Sequence, residues 1–161
     1  MADRPVRVLV VTVSTRAASG VYDDRSGPAA VEVLREAGHD VADALVVADG
    51  LAVGEALQAA LSAGYDVVVT LGGTGLGPDD RTPEMTRTVI DREVPGLAET
   101  LRADGVAHGV ATAALSRGVA GVAGSTLVVN LPGSVGGARD GAMVLAPLLA
   151  HAVDQLAGGD H

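Results

Sequence analysis

Short apolar runs alternate along the chain with segments whose apolar residues recur at helical spacing. Arg7–Val13 and Asp66–Leu71 are nearly continuous runs of aliphatic residues, which is typical of parallel strands covered on both faces. Helical spacing follows from Pro28 to a C-cap at Gly38, and again over Leu51–Ala63. The alternation predicts an α/β domain of three layers, α/β/α, with a mostly parallel central sheet.

The rest of the chain continues this pattern. A second strand is predicted at Val41–Ala48, and Val119–Val122 with Thr126–Leu131 suggests a hairpin. Further helices are predicted at Pro83–Ile90 with Thr82 as N-cap, at Pro95–Arg102, and at Ala138–Leu156 with a kink at Pro147. No repeat or linker divides the sequence, so we interpret residues 1–161 as one domain with an ordered core from about 6 to 157.

Composition excludes several classes of partner. The formal net charge is −9, and Tyr22 and Tyr65 are the only aromatic residues of these 161 positions, so a nucleic-acid partner is not expected. No apolar stretch is long enough to span a membrane. We interpret the apolar run Val8–Val13 as the first buried strand rather than as a signal peptide, and we expect a soluble, cytoplasmic protein.

The chemistry of any phosphate site is restricted by the basic residues. All 11 of them are Arg, and the sequence has no Lys and no Cys. A phosphate group must therefore be held by Arg, backbone N–H groups, hydroxyls or a metal ion. The histidines, His39, His108, His151 and His161, show no spacing typical of a metal site.

Loops after the predicted strands are the expected positions of a binding site. Ser14–Gly20 follows the first strand and offers three hydroxyls and the guanidinium of Arg16, although an ordinary polar loop would look the same. Asp49 follows the second strand. It is placed either to bind a ligand or metal, or to cap the helix that begins near Leu51, and the residue pattern alone favours the cap.

The most specific loop is GGTGLGPDDRTPE, from Gly72 to Glu84. Glycines allow backbone N–H groups to approach phosphate oxygens closely and to form an anion nest. Asp79 and Asp80 would repel a bare phosphate, which suggests that Mg²⁺ mediates the contact. A solvated turn of Pro and Asp is the alternative interpretation of the same residues.

A second glycine-rich loop follows the last predicted strand. It contains Asn130, Pro132, Gly133 and Ser134 and leads into the final helix. The helix N-terminus could hold an anionic group. A plain strand-to-helix turn would use the same residues, so both interpretations stay open.

Taken together, these segments resemble the MogA/MoaB family of molybdenum-cofactor biosynthesis proteins over nearly the whole chain. The resemblance is carried by six ordered segments: Ser14–Pro28, Val46–Gly50, Val67–Glu84, Asp91–Glu99, Leu115–Gly121 and Ser125–Ser134. It implies a MogA/MoaB-like fold and Mg²⁺-dependent transfer of AMP from ATP to molybdopterin, with release of pyrophosphate. Such a protein is a molybdopterin adenylyltransferase, an enzyme of molybdenum cofactor biosynthesis.

The resemblance also assigns roles to residues. Asp49 and Asp80 match the two essential acidic positions and the expected Mg²⁺ ligands. The nucleotide-binding positions are Gly72, Gly73, Thr74, Gly75 and Thr82. The molybdopterin-binding positions are Ser14, Arg16, Ser116, Arg117, Asn130, Pro132, Gly133 and Ser134.

The chain departs from the family pattern at two places. Asp79 stands where family members often have a basic or neutral residue, and no second proline follows Gly133. Because a fold can be retained after activity is lost, a non-catalytic protein that binds molybdopterin or a partner is the main alternative, and a nucleotide pyrophosphatase of related fold is a further one. By analogy with the family, we expect a homotrimer whose product passes to a molybdenum-insertion enzyme.

Overall fold

The computed structural model describes residues 4–159, and its helices and strands alternate as predicted. The strands are β1 Arg7–Val13, β2 Asp40–Val41, β3 Leu45–Val47, β4 Val67–Leu71, β5 Arg92–Glu93, β6 Ala120–Ala123 and β7 Thr126–Leu131. The α-helices are α1 Thr15–Ala18, α2 Ser26–Glu36, α3 Leu51–Ser62, α4 Thr82–Arg87, α5 Pro95–Ala107, α6 Val135–Leu145 and α7 Leu149–Leu156. A short 3₁₀ helix spans Ala111–Leu115.

All strands of the described residues belong to one sheet, in the order β2-β1-β4-β7-β6-β5, with β3 also pairing with β1. The pairs of β1 with β2, β3 and β4, and of β4 with β7, are parallel. The pairs β6–β7 and β5–β6 are antiparallel, and β6–β7 is the predicted hairpin. The prediction of an α/β fold with a mostly parallel sheet is confirmed.

Helices cover both faces of the sheet because successive residues of each strand point to opposite sides. Val8 and Val10 of β1 belong to the larger core, which also contains Leu34 of α2 and apolar residues of α5, α6 and α7. Leu9 and Val11 belong to the second core, with Leu57 of α3. The β1 residues of both cores are buried, which explains why the strand sequence is continuously apolar rather than alternating.

Several predicted boundaries differ from the structure. The strand predicted at Val41–Ala48 is two short strands, because one extra residue lies between the pairs Val8↔Val41 and Val11↔Leu45. The helix predicted at Ala138–Leu156 is interrupted near Pro147, which separates α6 from α7.

In the part of the chain that the structure describes, no helix is long and apolar enough to cross a membrane.

Two helix starts also differ. The helix predicted from Pro28 begins at Ser26, because the Asp24 carboxylate accepts hydrogen bonds from the Gly27 amide and the Ser26 hydroxyl. The prediction of Thr82 as an N-cap is wrong. Thr82 is the first helical residue of α4, and the preceding Arg81 makes no side-chain cap bond.

Asp66 fastens the start of β1 to the start of β4. Its carboxylate accepts two hydrogen bonds from the Arg4 guanidinium, at 2.6 and 2.8 Å, and one from the Arg7 amide at 2.8 Å. These contacts, led by the hydrogen bond from Arg4, hold the pKa of Asp66 below its ordinary value. A carboxylate with a lowered folded-state pKa contributes stability above its unfolded pKa and loses it as the pH falls.

We therefore expect the Asp66→Asn variant to be about 1 kcal/mol less stable at neutral pH, a modest loss because Arg4 is largely solvated. The difference from the wild type should shrink as the pH falls below about 4. Urea unfolding of both proteins between neutral and acidic pH measures this. A difference that stays constant with pH would contradict the assignment of the charged contacts.

Candidate functional site

An open cavity of about 800 Å³ lies at the carboxyl ends of β1, β4 and β7. The strand register brings these ends to one level, since Leu71 pairs with Thr12 on one side and with Leu131 on the other. The loops that follow the three strands therefore meet at one edge of the sheet. This is where ligands bind in open parallel sheets.

Two glycines allow the three loops to approach each other closely. A Cβ on Gly72 would lie 2.6 Å from the carbonyl oxygen of Val13, and a Cβ on Gly133 would lie 3.0 Å from the Cα of Gly72. Gly72 also has a φ of +99°, which other residues rarely adopt. Its amide donates to the Leu131 carbonyl at 3.0 Å. The three loops therefore pack backbone against backbone at this edge of the sheet.

Asp80 is held inside the glycine loop that follows β4. Its Oδ2 accepts a hydrogen bond from the Gly77 amide at 2.9 Å, and its own amide donates to the Gly77 carbonyl at 3.1 Å. A Cβ on Gly75 would lie 2.9 Å from the same Oδ2. The glycines therefore leave room for the carboxylate, which lines the cavity together with Asp49.

Asp49 does not cap α3, so the interpretation that the residue pattern favoured is wrong. The N-cap of α3 is Gly50, which has a φ of +89° and makes no side-chain cap bond. Asp49 Oδ2 instead accepts hydrogen bonds from the hydroxyl and the amide of Thr15, at 2.9 and 3.3 Å. Asp49 is thereby tied to the loop after β1 and faces the cavity.

Gly73 separates Asp49 from Thr82. A Cβ at position 73 would overlap the Thr82 Oγ1 and lie 3.3 Å from the Asp49 Oδ1. Thr82 is fully buried, does not line the cavity, and its Oγ1 has no hydrogen-bond partner among residues 4–159. Its amide donates to the Gly73 carbonyl at 3.1 Å. Thr82 thus lies directly beneath the predicted nucleotide loop.

The predicted pterin-side residues of the first and last loops also line the cavity. They are Ser14, Arg16, Pro132, Gly133 and Ser134. Ser134 is the N-cap of α6, with its Oγ accepting a hydrogen bond from the Gly137 amide at 3.0 Å. The N-terminus of an 11-residue helix therefore opens next to the glycine loop.

Sequence reasoning missed the segment from Tyr22 to Ser26, all of which lines the cavity. The Tyr22 hydroxyl lies 2.8 Å from Ser14 Oγ, and Asp24 accepts from Thr12 Oγ1 at 2.8 Å. The sequence feature that could have identified this segment is the run of three charged residues, Asp23, Asp24 and Arg25, within a predicted loop. With Asp23 and Asp24, five carboxylates but only two guanidinium groups line the cavity, so a polyanion would require added positive charge.

Ser116 and Arg117 lie elsewhere. They line a smaller cavity of about 340 Å³ with Arg87, Glu93 and Arg102. The Arg117 guanidinium reaches from there to the glycine loop and pairs with Glu84, which holds the pKa of that carboxyl below its ordinary value. The structure therefore does not bring these two predicted pterin-binding residues to the larger cavity.

Asn130 is 4% exposed and lies inside the domain rather than at the cavity. Its Oδ1 accepts a hydrogen bond from the Val119 amide at 3.1 Å, and its Nδ2 donates to Thr70 Oγ1 and Thr86 Oγ1, both at 2.9 Å. This amide joins β7, β4, α4 and the segment before β6. A direct contact with a ligand would have to replace these bonds.

We expect the Asn130→Ala variant to lose roughly 1–3 kcal/mol of unfolding free energy, because it leaves the buried Val119 amide without its acceptor. Denaturant unfolding measures this, with the exposed Thr100→Ala variant as the control. An unchanged unfolding midpoint together with a loss of pterin affinity would instead show that Asn130 acts mainly on the ligand.

The carboxylates of Asp49 and Asp80 fit Mg²⁺, because carboxylate oxygens are among its preferred ligands. Among residues 4–159, no group of three or more His, Asp or Glu side chains is arranged to hold a metal ion. The pair of carboxylates from Asp49 and Asp80 suits a cation that is bound by one or two carboxylates and is shared with substrate phosphates.

Known proteins of molybdenum cofactor biosynthesis are similar to this chain. A family model described as "Probable molybdopterin binding domain" matches residues 9–151. The chain is 40% identical over 153 residues to the molybdenum cofactor biosynthesis bifunctional protein of Synechococcus elongatus, covering 94% of this chain and 48% of the relative. It thus spans about half the length of such bifunctional relatives.

Two further relatives match over most of their own length. The molybdopterin adenylyltransferase of Helicobacter pylori strain J99 is 36% identical over 157 residues, with 95% of this chain and 89% of the relative covered. The solved structure of the molybdopterin biosynthesis Mog protein from Mycobacterium ulcerans has a TM-score of 0.88 and 52% identity, covering 94% of this chain and 99% of that one. The chain therefore belongs to the MogA/MoaB family of molybdenum cofactor biosynthesis proteins.

Proposed function

We propose that this protein is a molybdopterin adenylyltransferase, which transfers AMP from ATP to the terminal phosphate of molybdopterin in a Mg²⁺-dependent reaction. The observation that carries the proposal is the convergence of Asp49, Asp80 and the Gly72–Gly75 loop at one cavity. The name of the Helicobacter pylori relative supports the same activity.

The nucleotide belongs on the loop after β4. Gly72 and Gly73 have φ values of +99° and +67°. The Gly72 amide already donates to the Leu131 carbonyl, so the amides of Gly73 and of the residues after it would face the phosphates. Gly75 and Thr74 complete the lining on this side. The triphosphate of ATP would then lie beside the two carboxylates of Asp49 and Asp80.

Asp49 and Asp80 are the residues that would hold Mg²⁺. When bound, the ion neutralises charge on the phosphate oxygens of the substrates. The hydrogen bonds from Thr15 to Asp49 and from Gly77 to Asp80 fix the two carboxylates in advance. This preorganisation matters because the cavity lining is otherwise negative.

Molybdopterin belongs on the loop after β7. Gly133 and Ser134 place the N-terminus of α6 at the cavity, which suits the phosphate of the pterin. Ser14 and Arg16 face the same space from the loop after β1. Ser116, Arg117 and Asn130, which the family resemblance assigns to molybdopterin binding, would have to act on the pterin from outside the lining of the larger cavity.

The reaction needs no strong base. An oxygen of the molybdopterin phosphate forms a bond to the α-phosphorus of ATP, and the bond from that phosphorus to the α,β-bridging oxygen breaks. Adenylylated molybdopterin and pyrophosphate result. The nucleophile is already an anion, which agrees with a site that has no Lys or Cys and no His in its lining.

The test is to incubate the purified protein with molybdopterin, ATP and Mg²⁺ and to quantify adenylylated pterin and pyrophosphate. Equal amounts of both products, formed only when all three components are present, are expected. Pyrophosphate release without pterin would instead indicate a nucleotide pyrophosphatase. Tight pterin binding without turnover would indicate a non-catalytic binding protein.

The family resemblance also supports a homotrimer, transfer of the product to a molybdenum-insertion enzyme, and a cytoplasmic setting. Exposed apolar side chains such as Leu51 and Met143, 76% and 59% exposed, would be available for contacts between subunits. Light scattering coupled to gel filtration should give three times the 15.9 kDa mass of the chain.

A further inference from the structure

Arg117 makes four hydrogen bonds to the segment that contains the glycine loop. Its amide donates to the Thr74 carbonyl at 2.8 Å, and its Nε donates to the Gly75 carbonyl at 2.8 Å. Its Nη2 donates to the Asp80 carbonyl at 2.6 Å, and its Nη1 donates to Glu84 Oε1. One residue thus contacts both ends of the loop and the first turn of α4.

The loop has little else to hold it in one conformation. Residues 76–79 are exposed, and Leu76 at the tip is 68% exposed, so apolar packing does not fix this part. Gly75 and Gly77 add conformational freedom. Apart from Arg117, the Gly77–Asp80 turn and the bond from the Thr82 amide to Gly73 are the main constraints.

The side chain of Arg117 lies behind the loop, and not in the lining of the larger cavity. All three guanidinium nitrogens donate to the loop or to Glu84. A planar guanidinium can serve two carbonyls and a carboxylate at once, which a lysine ammonium cannot do with the same geometry. Arg117 is therefore already committed to the protein rather than to a substrate.

We propose that Arg117 is a positioning residue for the nucleotide, which holds Thr74, Gly75 and Asp80 in their binding arrangement, and that it is not a pterin contact. The proposal rests on the function given above, since it assigns the Gly72–Gly75 loop and Asp80 to ATP. It differs from the role that the family resemblance implied for this residue. Its consequence is that loss of Arg117 impairs nucleotide binding even when no pterin is present.

The experiment compares Arg117→Gln and Arg117→Lys with the wild type by calorimetry, using Mg²⁺ with the α,β-methylene analogue of ATP, and separately using molybdopterin. The matched controls are Arg35→Gln and Arg35→Lys, because Arg35 also donates twice to a backbone carbonyl, that of Val41, but lies outside both cavities. Hydrogen exchange of the Gly77, Asp80 and Thr82 amides, each of which donates a hydrogen bond within the loop, is followed in the same proteins.

We expect Arg117→Gln to lower the affinity for the ATP analogue about tenfold or more, the scale of one or two lost charge-assisted hydrogen bonds. The affinity for molybdopterin should not change, and exchange of the loop amides should accelerate. Arg117→Lys should show a smaller effect in the same direction. In turnover, KM for ATP should rise while KM for molybdopterin stays the same.

A loss of pterin affinity with normal nucleotide binding would overturn the proposal, and so would unchanged binding of both ligands. If Arg117→Gln does not fold, the same binding measurements on Arg117→Lys and Glu84→Gln test the proposal. Glu84→Gln keeps an oxygen that accepts from the guanidinium and removes only the negative charge of residue 84. If the wild type neither binds the nucleotide nor adenylylates pterin, the proposed function fails by itself. Accelerated loop exchange in Arg117→Gln would then still show the structural contact.

Discussion

Replacing Asp80 with Asn is expected to lower the rate of molybdopterin adenylylation by about 100-fold or more while leaving the fold intact. The substitution removes a negative charge that would hold Mg²⁺ against the phosphates. An asparagine oxygen can still accept the hydrogen bond from the Gly77 amide, so the loop conformation is retained. The measurement is the initial rate of adenylylated pterin formation at saturating ATP, with thermal unfolding to verify the fold.

Asp79→Asn is the matched control, because it removes the same charge from the neighbouring position of the same loop. Asp79 is exposed at the cavity and makes no hydrogen bond with other residues in the range 4–159. Its replacement should leave the rate within a few-fold of the wild type, and the weaker negative field should lower KM for ATP if it has any effect. Equal losses in both variants would mean that the net charge of the loop, rather than the Asp80 carboxylate, is what matters.

Replacing Gly73 with Ala is expected to be nearly as damaging, by a different route. The φ of +67° costs an L-residue about 1–2 kcal/mol, and the added methyl group would overlap the buried hydroxyl of Thr82. It would also press on the Asp49 carboxylate from 3.3 Å. Because displacement of a catalytic group by about 1 Å costs roughly 100-fold, we expect a rate loss of that order together with lower stability.

The control for this substitution is Gly96→Ala. Gly96 lies in α5, has no positive φ, and a Cβ there would meet no atom within 4 Å. Replacing a helical glycine with alanine should raise stability by about 0.5–1 kcal/mol without changing the rate. Steady-state kinetics and urea unfolding of both variants measure the difference. A Gly73→Ala protein with wild-type turnover would show that the loop relaxes easily and that its conformation is not critical.

Much of the architecture could be read from local pattern. β1 occupies the predicted range Arg7–Val13, and β4 differs from its prediction by one residue, because both are apolar on both faces and need only to be buried. α3 also ends within one residue of its prediction, and its C-cap Ala63 is followed by Gly64, which has a positive φ. These elements are determined by side chains near each other in sequence.

The element boundaries that were predicted wrongly depend on contacts with other segments or on weak local patterns. α5 continues to Ala107 rather than Arg102, although no strong periodicity marks the extra turn. The split of the second strand depends on its register with β1, and register is a property of two segments. The hydrogen bonds at the start of α2 go to Asp24, an acidic residue that lies four positions before Pro28, the predicted helix start.

The arrangement of the candidate site shows the same division. The predicted loops after β1, β4 and β7 do line one cavity, since parallel strands end at the same edge of the sheet. The positions of the Asn130 and Arg117 side chains could not be predicted from the ends of the strands. The amide of Asn130 satisfies groups up to 60 positions away, and the guanidinium of Arg117 reaches carbonyls 37 and 42 positions away.

The sequence by itself determined the chemical inventory and the architecture of this protein: arginine as the only permanent cation, no thiol, an α/β domain, and glycine-rich loops behind buried strands. Only the tertiary structure decided which polar groups face the cavity and which are used to hold it together. Asp49 is turned toward Thr15 rather than toward the helix it precedes, and Arg117 is turned toward the back of the glycine loop. The physical reason is that hydrophobic periodicity depends on neighbours along the chain, whereas a side-chain hydrogen bond depends on whichever distant backbone the fold brings within about 3 Å.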